Sequence, residues 1–249
     1  MNAASSPSPF LSVRPDSLAP VVLTCEHATN RLPFHVRLSR EERATLDAHW
    51  GWDIGAWALT RELARSLVTS AVGGRWSRLV IDINRRVDED TLIRRLAGGV
   101  ELSWNRSVSP VEVERRMLAY HAPYHTEVDR LILRRAVRGI RPLLFAVHTF
   151  TPSYEGRRRT FDAGVLYDRH GGIARRLAAS LRRSGLSVRY NQPYSGKEGL
   201  MYSAERHGSH HDLPCLELEI NQALFDEPAA AQRLGPIVAR GLREIAPSL

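Results

Sequence analysis

Apolar runs of strand length recur along the chain at residues 20–26, 78–83, 142–148, 163–167 and 214–220. Segments whose apolar residues repeat at helical spacing lie between most of them. Helices are predicted over 54–69, 110–139, 171–184 and 228–245. Ser109 and Pro110 give the second a cap and a first-turn residue, and Gly185 closes the third. Continuous apolar strands alternating with helices require a sheet covered on both faces, which is an α/β architecture. In open sheets of this kind ligands collect just beyond strand ends, so the polar residues there carry the functional information. Run 20–26 leads into His27, run 78–83 into Asn84 and Arg85, and run 142–148 ends at His148. The last run carries Glu217 and Glu219 among Leu216, Leu218 and Ile220, with Asn221 after it.

The 249 residues suit one domain, expected at 20–249 behind a loose Ser- and Pro-rich arm at 1–19. That arm lacks the basic and apolar regions of a signal peptide, so a cytoplasmic location is expected. No apolar run approaches the roughly 18 residues of a membrane span, and no membrane partner is expected. Cys25 and Cys215 sit inside apolar runs and read as reduced core thiols. A formal net charge of +8 would suit a nucleic-acid partner, but Lys197 is the only lysine and the arginines are scattered along the whole chain. No nucleic-acid motif accompanies them, so a nucleic-acid-binding module stays the alternative from outside enzymology. A homo-oligomer is compatible with the sequence.

Two histidines at the ends of separate strands, with a carboxylate at a helix start, make a three-ligand zinc site with a position left for water. His27 and His148 supply the imidazoles, whose bland alternative is a hydrogen-bonded core histidine. For the acid, Asp53 in "WGWDIGA" competes with Glu26, which the strand period turns away from His27. Asp53 is favoured, although it would also serve as a plain helix cap. Glu219 is expected to be the general base, because a carboxylate on an apolar strand is costly without such a role. A structural ion pair is the competing account. Arg85 suits a substrate carboxylate, or else an ion pair with Asp88 or Glu89. Asn30, Arg31, Asn84, Tyr124, Lys197 and His207 complete the candidate substrate contacts.

The segments "CEHATNRLP", "WDIGA", "DINR", "AVHTFTP", "AGVLYD" and "LEIN", in this order over residues 25 to 221, resemble the N-formylglutamate amidohydrolase family. The resemblance implies a single-domain three-layer sandwich around a mixed, mostly parallel sheet, phosphorylase/hydrolase-like and related to zinc carboxypeptidases. It implies a bound Zn2+ and hydrolysis of the amide of a small acidic N-acyl amino acid. His27 and His148 match the metal histidines, Glu219 the glutamate that serves metal-activated water, and Arg85 the arginine of the "NR" motif. The first motif departs from the "PHAG"-like form of the true formylglutamate hydrolases, which points to a divergent subgroup. A peptidoglycan-type amidase or peptidase shares the chemistry and is the runner-up.

Overall fold

The computed structural model describes residues 7–227 and 229–246. Seven strands form the main sheet: β1 (Phe10–Val13), β2 (Val21–Cys25), β3 (Ser70–Gly74), β4 (Leu143–Phe150), β5 (Ala163–Leu166), β6 (Val188–Tyr190) and β7 (Cys215–Asn221). Their order is β1-β3-β2-β4-β7-β5-β6. The central β3, β2, β4 and β7 are parallel, β1 is an antiparallel edge strand, and β5 runs antiparallel to β7 with β6 parallel to β5. The helices are α1 (Arg40–Asp47), α2 (Ala56–Ser66), α3 (Pro110–Arg116), α4 (Ala122–Ala136), α5 (Gly171–Arg183), α6 (Tyr202–His210) and α7 (Ala230–Ile245).

Strand alternation divides the core. Leu23, Phe145, Val147, Leu216 and Leu218 face one side, where Leu59 and Leu63 of α2, Leu177 and Leu181 of α5, and Leu234 and Val238 of α7 close over them. Val22, Leu144, Ala146 and Cys215 face the other, against Tyr124, Val128 and Leu131 of α4 and Ala204 of α6. The result is one mixed sheet with helices on both sides. Each buried leucine contributes about 1.5–3 kcal/mol, so both layers are strongly held. The cysteines are free and buried, and burial pushes the Cys215 thiol up to about 12. Among the described residues no helix is long and apolar enough to cross a membrane.

Four expectations change. Residues 78–83 are not a strand but a buried turn-rich stretch, while the sheet takes Ser70–Gly74 instead. Side chains do there what a ladder would do: Arg116 Nη1 donates to the Val80 carbonyl at 2.8 Å and Asn105 Nδ2 to that of Leu79 at 2.7 Å. Residues 10–13, expected in the loose arm, pair with β3, and residues 1–6 lie outside the described residues. The helix expected at 110–139 is interrupted by a π-turn at Met117–His121 just before Pro123, which has no N–H to continue the ladder. The last helix begins at Ala230, and residue 228 of the expected span lies outside the described residues.

Candidate functional site

The end of β2, the loop before α2 and the middle of β4 meet at one point. The Asp53 amide donates to the His27 carbonyl at 3.0 Å, and Gly55 at φ +86° then turns the chain into α2. A side chain at that glycine would meet the Phe225 ring at 2.4 Å, so the turn needs glycine twice over. Gly55, not Asp53, is the cap of α2. The Asp53 carboxylate is therefore free to face the sheet.

Its Oδ2 lies 2.8 Å from His148 Nδ1 and 3.4 Å from His27 Nδ1. The opposite ring nitrogens are both taken. His27 Nε2 donates to Asp82 Oδ1 at 2.7 Å, and His148 Nε2 donates to Glu26 Oε2 at 2.9 Å. Glu26 also accepts from the Tyr124 hydroxyl at 2.9 Å. Arg78 donates to Asp82 Oδ2 at 3.0 Å and reaches Asp53 Oδ1 at 3.5 Å. Parallel pairing sets Glu219 beside His148, and Glu217 Oε2 lies 3.7 Å from His148 Nε2.

Burial and charge act on every group. Burial raises Glu217 to about 7, helped by the charges of Glu26 and Asp53. Burial and then the Glu217 and Asp53 carboxylates hold Glu219 well above the ordinary range. Burial is the largest influence on Glu26 and would raise it, yet the bond to His148, the charge of that ring and the donation from Tyr124 together outweigh it and lower the carboxyl to about 2. Burial disfavours a charged His148, but the carboxylates of Glu217, Asp53 and Glu26 overcome it and hold the ring well above its usual value.

Five buried carboxylates thus surround the two imidazoles, and among the described residues Arg78 is the one cation paired with any of them. The bonds to Asp82 and Glu26 keep a proton on each Nε2, so a cation that displaces the second proton of His148 would find both Nδ1 lone pairs aimed at Asp53. Among the described residues His27 Nδ1 has no hydrogen-bond partner, nor do Glu217 Oε2 and Glu219 Oε2. His27, Asp53 and His148 can each offer one atom to a common ion, and a divalent cation is what their lone pairs and the surplus negative charge fit.

A cavity of about 240 Å³ opens over this cluster and is lined by all three residues together with Glu217, Glu219, Asn84 and Arg85. Arg85 Nε is also 3.7 Å from Glu89 Oε2, the ion pair anticipated as its alternative, although among the described residues that nitrogen has no hydrogen-bond partner. Asn84 accepts from the Ser203 amide at 2.9 Å. The other expected contacts lie elsewhere. Asn30 and Arg31 line a separate recess, and Asn30 donates to Asp47. Tyr124 is fully buried and acts on Glu26. Lys197 is exposed with its ammonium 5.9 Å from the Tyr167 ring, and His207 is fully buried between His125 and Asp129. Sequence reading missed His49, Arg78, Arg94 and Tyr194, all on the cavity wall. His49 could have been suspected from its place four residues before Asp53; no local pattern marks Arg94.

Fold and site together define an α/β protein with a buried cluster of two histidines and one carboxylate beneath an acid-lined cavity. Residues 19–225 match the model of the N-formylglutamate amidohydrolase family, and the chain belongs to that family of amidohydrolases. A solved gene product of Agrobacterium tumefaciens is similar at TM-score 0.89 and 26% identity, covering 97% of this chain and 96% of its own. A solved N-formylglutamate amidohydrolase from Ralstonia eutropha is similar at TM-score 0.73 and 18% identity, covering 97% of this chain and 100% of its own. No curated protein matches the chain by sequence.

Proposed function

We propose that this protein is a zinc-dependent amidohydrolase that releases the acyl group from a small acidic N-acyl amino acid, of the N-formyl type. What carries the reading is the convergence of His27, His148 and Asp53 directly beside Glu217 and Glu219, each with an Oε2 that has no hydrogen bond among the described residues. Zinc held by His27 Nδ1, His148 Nδ1 and Asp53 Oδ2 supplies, when bound, Lewis acidity toward water and the amide carbonyl. Glu219 takes a proton from the attacking water as the new C–O bond forms. It returns that proton to the amide nitrogen as the C–N bond breaks, so that a carboxylic acid and an amine leave. Burial and the neighbouring carboxylates raise the proton affinity of Glu219, which helps it take the proton from water and hold it until the amide nitrogen needs it. Arg85 and Arg94 are the guanidinium groups placed to hold the substrate's carboxylates.

The test is metal analysis with turnover on a panel of N-formyl and N-acetyl amino acids. About one zinc at this site is expected, lost in His27→Ala and His148→Ala, with turnover on an acidic member of the panel. Glu219→Gln should keep the metal and lower kcat by about 10²–10⁴-fold. Loss of zinc would make Glu219 a ligand, and near-normal turnover with full zinc would pass its role to Glu217. A fully loaded protein that hydrolyses no member of the panel overturns the reading.

A further inference from the structure

A second cluster of metal-ligating side chains lies between α4 and α6. His207 Nδ1 and His211 Nε2 approach the same oxygen, Asp129 Oδ1, at 2.7 and 2.8 Å. The histidines are four residues apart, so they stack on one face of α6 and its C-terminal cap, and Asp129 meets them from α4. His207 is fully buried, whereas the side chains of His211 and Asp129 keep 13% and 28% of their surface, which leaves a route from solvent.

Proton accounting shows what is missing between them. The Ile83 carbonyl can only accept, so His125 Nε2 donates to it at 3.1 Å, and a neutral His125 offers a bare Nδ1. That nitrogen lies 2.9 Å from His207 Nε2, which must therefore carry the proton. A neutral His207 then presents the lone pair of Nδ1 to a carboxylate oxygen, with nothing positive between two acceptors. Arg206 does not resolve this: its Nη1 is 4.0 Å from Asp129 Oδ2 and 3.4 Å from His207 Nε2, and if Nε2 accepted from it the His207 proton would move to Nδ1 and two bare nitrogens would face each other at the His125 contact instead. In His207 the arrangement repeats that of His27 and His148, where one ring nitrogen is held from behind and the other faces a shared carboxylate.

We propose that Asp129, His207 and His211 form a second binding site for a divalent cation of the zinc class, separate from the candidate centre under the cavity. Two imidazoles and one carboxylate suit zinc by ligand type and number, and His125 plays the part of the group that fixes the tautomer. The ion would clasp the C-terminal end of α6 to α4. The N-terminal end of α6 donates the Ser203 amide to Asn84 on the cavity wall, so the clasp braces that wall.

The experiment uses the full chain carrying His27→Ala, so that the cavity site does not contribute. Zinc binding is followed by equilibrium dialysis and Tm with and without added zinc. One equivalent is expected in this background, with a Tm rise of roughly 5–10 °C at a hundredfold excess over Kd. Adding His211→Asn, which withdraws the ring nitrogen that faces Asp129, should remove both the equivalent and the rise. Equal zinc binding with and without His211→Asn overturns the proposal, as does a zinc-independent Tm, which would leave only a hydrogen-bonded ion pair. Two equivalents in the His27→Ala protein would count against the cavity site instead, and the His211→Asn comparison would still decide this one.

Discussion

At the scale of single residues, Asp82 and Glu26 occupy the outer nitrogens of His27 and His148 at 2.7 and 2.9 Å. Removing such a partner frees the ring to rotate and change tautomer, which costs about 10–100-fold in metal affinity. Asp82→Asn and Glu26→Gln are therefore expected to weaken zinc by that factor in chelator competition while turnover at saturating zinc stays close to normal. Unchanged affinity in both would reduce these acids to packing. The histidines were legible because each ends an apolar run, where an imidazole has no packing reason to be. Strand periodicity turns Glu26 away from His27, and its carboxylate bonds His148 instead. What places Glu26 is the Tyr124 hydroxyl, ninety-eight positions away, a contact that no local pattern announces.

At the scale of elements, the stretch 78–83 shows how an apolar run can mislead. Its residues are buried as a strand's would be, with Leu79 and Val80 fully so, but its carbonyls are claimed by Asn105 and by Arg116 of α3. Arg116 is itself held by Glu112 Oε1 at 2.7 Å, one turn earlier on the same helix. Bonds to Arg115 and Arg116 outweigh the burial of Glu112 and lower its carboxyl to about 2 from 4.5. A depressed carboxyl stabilises the fold above its unfolded value, and that contribution fades as pH falls from about 4.5 toward about 2. Glu112→Gln should thus cost about 1–2 kcal/mol at pH 7 in urea unfolding, toward the low side because Glu112 is part-exposed. The gap to the parent chain should narrow at about pH 3. Equal stability of the two proteins at pH 7 would mean that Arg116 holds the stretch without help from Glu112.

At the scale of the whole molecule, the net charge of +8 was discounted as a nucleic-acid signal, and the arrangement of the arginines gives part of it another use. Arg78, Arg85 and Arg94 all line the cavity. Arg78 is committed to Asp53 and Asp82, whereas among the described residues the Arg94 guanidinium has neither a hydrogen bond nor an ion pair. An arginine kept without a partner in a cavity costs stability unless a ligand supplies the anion, and a cleft lined with one sign of charge concentrates ligands of the other. Sequence could not single out Arg94, one basic residue among 35, because only the closing of the fold brings it to the cavity. Arg94→Gln is expected to raise KM for a dicarboxylic N-formyl substrate by about 10–100-fold, as loss of a charge-assisted bond implies, and to leave kcat and zinc content close to normal. Among the described residues no side chain bonds this guanidinium, so the variant should fold as the parent does. Long-range attraction is screened beyond about 10 Å at 0.1 M salt. Raising the salt should therefore lower kcat/KM for the acidic substrate more than for a neutral N-formyl amide, and Arg94→Gln should flatten that slope. A slope identical in both proteins would assign the attraction to the scattered surface arginines and leave Arg94 without a role in recognition.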